Sequence, residues 1–136
     1  MVELSRRRFN FEEDYDIVGA WWKAHGSRIP SPEYLSKTGL IIDVNKNPVA
    51  AGFLYRTDSA FCLFKWFAVN PDASKEHRDK ALNYLIKSAV EWCQEAGFKA
   101  IYTSTNVQKM IRRLEDAEFV QADKGITHMF YGVENG

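Results

Sequence analysis

Lys75, Arg78 and Lys80 fall within one short stretch, VNPDASKEHRDKAL, Val69 to Leu82. The stretch lies between an apolar, strand-like run and a strongly amphipathic helix. A strand, a short loop and a helix start, in that order, make an anion-binding corner. The first-turn N–H groups of a helix lack intrahelical partners, and the helix dipole is positive at that end. The Arg78 guanidinium has the fork that grips a pair of phosphate oxygens, and the His77 ring can donate as well. Asp79 sets a negative charge near the same corner. It weakens anion binding if it points inward and does little if it points to solvent. The loop has no glycine, so no bare backbone offers close approach. A solvated first turn of mixed charge is the plainer account of the same residues.

These residues need a scaffold, and the sequence supplies one. Arg6 to Phe11 reads as a short first strand. Glu12 to His25 reads as a helix, with Ile17, Val18, Trp21 and Trp22 on its apolar face and Gly26 as its stop. Pro30 and Pro32 make Ser27 to Thr38 a loop or a broken short helix. Three strands follow: Gly39 to Val44, Val49 to Arg56 and Ala60 to Val69. Asn45-Lys46-Asn47-Pro48 and Thr57-Asp58-Ser59 are their turns, which gives an antiparallel meander. The longest helix runs from about Lys75 to Ala96 on a stripe of Ala81, Leu82, Leu85, Ile86, Ala89, Val90 and Cys93, and Gly97 ends it. Lys99 to Ser104 is a short strand. Val107, Met110, Ile111 and Leu114 mark a last helix. Asp123-Lys124-Gly125 reads as a hairpin turn between strands Phe119 to Ala122 and Ile126 to Val133. The unit from Ala60 to Ser104 predicts a right-handed crossover with parallel strands. The class is α+β, a mixed and mostly antiparallel sheet with helices on both faces.

The totals narrow the function. A chain of 136 residues suits one domain, here taken as 1–136, and 46% hydrophobic residues suffice for a core. Eighteen basic residues meet eighteen acidic ones, which argues against nucleic acid or an anionic membrane as partner. No apolar run approaches the roughly 20 residues that cross a bilayer, and MVELSRRRF lacks the apolar core of a secretory signal. Cys62 and Cys93 lie in apolar patterns and read as reduced core residues of a cytosolic protein. His25, His77 and His128 are scattered, so no metal site is expected. Arg6-Arg7-Arg8 reads as surface charge, offset by Glu12, Glu13 and Asp14.

With this order of elements and this loop, the chain resembles the GCN5-related N-acetyltransferase superfamily over nearly its whole length. The family pattern is Val-x-Pro-x-x-Arg/Gln-x-x-Gly-x-Gly/Ala-x-Ala-Leu. Val69, Pro71, Ala81 and Leu82 match it without a gap. Ser74 stands in the Arg/Gln place, and His77 and Asp79 stand in the two glycine places, an atypical cofactor loop. AIYTSTN is similar to the family's next strand with its asparagine, here Asn106. RRLEDAEFV is similar to the end of its last helix, with Phe119 kept and Glu118 where glycine is usual. Small acyltransferase-like proteins of bacteriophages also look like this chain.

The resemblance implies an acyl-CoA N-acyltransferase that moves acetyl from acetyl-CoA to a primary amine, on a small molecule or a protein. It implies that backbone groups of Phe67, Ala68 and Val69 meet the pantetheine arm of the cofactor. Ser74, Lys75, His77, Arg78, Asp79 and Lys80 would face its pyrophosphate. Trp21, Trp22 and Tyr34 would wall the acceptor site; packing of at least one tryptophan on the sheet is the plainer expectation. Acyl transfer also needs an acid for the leaving thiolate and a base for the amine. The family often uses a tyrosine where this chain has Arg113 or Leu114. An arginine is a poor proton donor, so Tyr102 and Ser104 become the catalytic candidates, with Tyr84 and His128 as substitutes. Two other readings stand: a cofactor-free binding module that docks on a protein, favoured by the missing glycines and tyrosine, and a nucleic-acid modifier, disfavoured by the zero net charge. The last strand pair could also join two copies in a homodimer.

Overall fold

The computed structural model describes residues 2–133. Its elements are β1 (Leu4–Arg8), α1 (Phe11–Ala24), β2 (Thr38–Val44), β3 (Asn47–Tyr55), β4 (Phe61–Val69), α2 (Lys75–Glu95), β5 (Ala100–Tyr102) and α3 (Gln108–Asp116), with a 3-10 turn at Pro32–Tyr34. The sheet order is β1-β2-β3-β4-β5. The first four strands pair antiparallel, and β4 pairs β5 in parallel across the α2 crossover, as the sequence predicts.

Alternation along the strands sorts two cores onto the two faces. Ile41, Phe53 and Ala68 pack with Val18, Trp21 and Trp22 of α1. Their neighbours Ile42, Leu54 and Phe64 pack with Leu85 and Ile86 of α2 and with Met110 and Leu114 of α3. The mixed α+β class with helices on both faces is therefore observed. Ile17 departs from its expected place on the apolar face of α1 and remains 44% exposed.

The β2–β3 connection is tighter than the expected four residues. Asn45 and Lys46 have φ of 50° and 70°, the signature of a two-residue type I′ turn. Asn47 and Pro48 already belong to β3. Pro48 is tolerated there because the register shifts at Ile42/Asp43 beside it. The three arginines at the start are each engaged within the chain. Arg6 pairs with Glu91 at 2.9 Å, and Arg8 donates to the Lys37 carbonyl at 3.2 and 3.3 Å. Arg7 grips Asp14 with both terminal nitrogens, at 2.8 and 3.1 Å, and donates from Nε to Asp43 at 2.9 Å.

Two expectations are corrected. Cys62 and Cys93 are buried as foreseen, but they form a disulfide that ties β4 to α2. Packing of α2 across β4 brings together residues 31 apart in sequence, which spacing alone does not reveal. The expectation of a reducing compartment rests on free thiols and loses that support. Among the described residues, no helix is long and apolar enough to cross a membrane. The second correction concerns the last hairpin. Phe119 to Ala122 and Ile126 to Val133 form no strands, and the sheet ends at β5. Gly125 takes the left-handed turn conformation, but Val120, Met129, Tyr131 and Val133 all stay more than 80% exposed. Without a buried face, nothing pins a strand register.

Just past the Ala117 C-cap of α3, Glu118 takes φ 74°, and Phe119 N–H donates to the Leu114 carbonyl at 2.9 Å. This is the left-handed C-cap position where glycine belongs. Glu118→Gly is expected to stabilise the fold by about 1 kcal/mol, the strain of an L-residue there less the added freedom of the unfolded chain. A melting curve checks it, and an unchanged or lower midpoint refutes it.

Candidate functional site: the β4–β5 opening

Strand β4 stays beside β5 only from Phe61 to Leu63, opposite Ala100 to Tyr102. One step later the Thr103 hydroxyl donates to the Phe64 carbonyl at 2.7 Å, and β4 then continues to Val69 paired with β3 and with no strand on its β5 side. The divergence coincides with a bulge. The register with β3 jumps between Ala51↔Ala68 and Phe53↔Lys65, so that Trp66 and Phe67 together oppose Gly52. Trp66 takes φ 60°, a strained conformation for an aromatic residue and a recurrent mark of functional sites. Gly52 is required here because a Cβ would lie 2.6 Å from the Phe64 ring.

The open strand leads into the loop before α2 and the first turn of that helix. Asn70 builds the loop. Its side-chain oxygen accepts from Asp72 N–H at 2.9 Å, and its amide donates to the Pro48 carbonyl at 3.2 Å. Ser74 caps α2. Its hydroxyl accepts from His77 N–H at 3.1 Å, and its carbonyl accepts from Arg78 N–H at 2.9 Å. The N–H groups of Lys75 and Glu76 are left without helical acceptors.

Asp79 points neither into the corner nor freely to solvent. Its carboxylate takes Lys75 at 3.0 Å and Arg113 of α3 at 3.0 Å. The hydrogen bond from Lys75, and then that from Arg113, holds its carboxyl below the ordinary value. Arg113 also donates to the Asp79 carbonyl at 3.2 Å and to Asn83 at 2.9 Å. The residue in the usual tyrosine place is thus a clamp between α3 and α2, and its alternative, Leu114, is buried. Lys80 lies 3.7 Å from Glu76. Arg78 is half-buried and has no carboxylate partner among the described residues.

The other candidates fall as follows. Ala68 is buried against the α1 core, while Phe67 and Val69 present carbonyls to α1. Tyr102 is 58% exposed and stacks on Phe61 at 4.9 Å, so it is not a core residue. Ser104 is exposed, with Oγ 3.4 Å from Nε2 of His128. Tyr84 lies under Arg6, beside β1, far along the sheet from the opening. Asn106 is exposed just before α3. Trp21 and Trp22 are both buried, and Tyr34 alone of the three proposed wall residues is exposed, its ring 6.1 Å from that of Phe130. A cleft of about 520 Å³ lies elsewhere, between Arg8, Phe9, Phe11 and the Pro32 to Lys37 loop, and contains no residue of β4 or α2.

Sequence reasoning misses two features of this site. Trp22 and His25 reach β4 from α1, and Arg113 reaches Asp79 from α3. Both are long-range contacts with no local signature.

No family model matches the chain, and no curated protein does. Solved structures do match. An aminoglycoside acetyltransferase from an uncultured soil metagenomic sample is 14% identical, with a TM-score of 0.62 over 98% of this chain and 97% of that one. Ard1 from Thermoplasma volcanium is 14% identical, with a TM-score of 0.71 over 88% and 84%. A transcriptional regulator from Bacillus halodurans C-125 is 13% identical, with a TM-score of 0.69 over 94% and 100%. At such identities the likeness is one of fold, and the chain shares the fold on which these acetyltransferases are built.

Proposed function

We propose that the chain is an acyl-CoA-dependent N-acyltransferase that acts on a primary amine. One observation carries the reading: β4 parts from β5 at a strained bulge and runs directly into a capped helix N-terminus. That arrangement offers unpaired strand backbone to an amide-bearing arm and helix N–H groups to a pyrophosphate. The residues fit an acyl-CoA. Lys75 and Glu76 N–H groups and the Arg78 guanidinium would hold the phosphates, and the Asp79 charge is compensated by Lys75 and Arg113. The acyl-CoA supplies an activated thioester. Tyr102, exposed at the last paired position of β5, and Ser104, exposed just beyond it, are the groups that would hold or release a proton. Tyr34 would border the acceptor.

The decisive experiment is thermal unfolding with and without millimolar acetyl-CoA. A ligand bound only to the native state stabilises it by about 2.7 kcal/mol at one hundred times its Kd. The midpoint is expected to rise, and Arg78→Ala is expected to weaken binding by about tenfold or more, roughly the worth of one charge-assisted hydrogen bond. An unchanged midpoint at millimolar acetyl-CoA would sink the reading and leave a protein-binding module on an acyltransferase fold.

A further inference from the structure

The open edge of β4 is already half used, by the protein itself. Asn70 N–H donates to the Val49 carbonyl at 2.7 Å, so Asn70 faces β3. Residues of an antiparallel ladder alternate in direction. The N–H and C=O of Val69 therefore face away from β3, toward the opening. The Val69 carbonyl meets His25 Nε2 at 3.1 Å. A carbonyl only accepts, so Nε2 carries the proton. Two residues back, the Phe67 carbonyl accepts from the Trp22 indole N–H at 2.9 Å. Trp22 is 3% exposed and locked between Phe53 and Trp66, whereas His25 lies exposed at the end of α1.

We propose that Trp22 and His25 set the hydrogen-bonding polarity of the β4 edge and so determine how a ligand arm is held there. With the carbonyls of Phe67 and Val69 occupied, the edge presents the Val69 N–H as a donor. It takes an extended arm by a carbonyl oxygen placed on the Val69 N–H. The N–H groups of such an arm find no acceptor on β4. Trp22 and His25 are thus specificity-determining residues that reach the β4 edge from α1 and its C-cap. This inference rests on the acyl-CoA reading of the opening.

The test measures Kd for acetyl-CoA by calorimetry on the wild type, His25→Ala and Trp22→Phe. The phenylalanine keeps the buried ring and removes only the donor, and far- and near-ultraviolet spectra confirm that each variant is folded. Each freed carbonyl gains an acceptor role, so both variants are expected to bind about three- to tenfold more tightly. Tighter binding by either variant than by the wild type supports the inference. Equal or weaker binding by both variants overturns the inference while measurable wild-type binding leaves the acyl-CoA reading intact. Failure of all three proteins to bind overturns both.

Discussion

Replacing Arg7 with methionine is expected to cost about 3 kcal/mol of stability at neutral pH. Asp14 is 2% exposed, and Arg7 holds both of its oxygens. Removing one partner of a buried pair strands the other, which typically costs about 3–5 kcal/mol. The low end applies because the Arg7 side chain is itself 38% exposed and water screens the pair. Burial pushes the Asp14 carboxyl up, but Arg7 and the Asn10 N–H more than offset that and leave it below its ordinary value. Its contribution is therefore complete above the unfolded carboxylate value, near pH 4. It is lost as pH falls through the lower folded value. In the variant the stranded carboxylate is easier to protonate, so its deficit should be greatest at pH 7 and shrink toward pH 4. Denaturant titrations at the two pH values check this. A deficit below 1 kcal/mol, or one that grows on acidification, would show the network to be incidental.

Arg113→Ala is expected to weaken acetyl-CoA binding by about tenfold or more without touching the ligand. The guanidinium now shares the Asp79 carboxylate with Lys75. Without it, Asp79 turns back toward the first turn of α2 as an under-compensated negative charge. A unit charge several ångströms from a phosphate, in a partly solvated corner, costs on the order of 1–2 kcal/mol. The double variant Arg113→Ala/Asp79→Asn should recover most of the affinity. If the double variant binds as poorly as the single one, Arg113 acts by holding α3 in place, and the charge argument fails.

Much of the scaffold was legible because it rests on local patterns. Ile41 and Ile42, or Phe53 and Leu54, point to opposite cores as strict alternation requires. The stripe of α2, its Ser74 cap and its parallel crossover follow from spacing and short-range chemistry. The strand, loop and capped helix start from Val69 to His77 belong to this class. What the sequence concealed is tertiary. Asp79 and Arg113 are 34 positions apart, and Trp22 and Phe67 are 45 apart. No local rule predicts that Trp66 will take a glycine-like φ. The last hairpin misled for the opposite reason: ITHMFY is rich in β-formers, yet such a run is fixed as a strand only where one face finds a core.

The two-residue turn at Asn45-Lys46 has a consequence for the order of assembly. It joins β2 to β3 with almost no loop to close, so that hairpin forms from near neighbours in sequence. The three-residue parallel ladder of β4 with β5 must wait for all of α2 to bridge it. The chain is therefore expected to build from the meander outward, with the β4–β5 opening assembled last. Native-state hydrogen exchange should show the same ranking in reverse. Amides at Ile101 and Tyr102 would exchange through local opening, while those at Ile41 and Ala51 would wait for global unfolding.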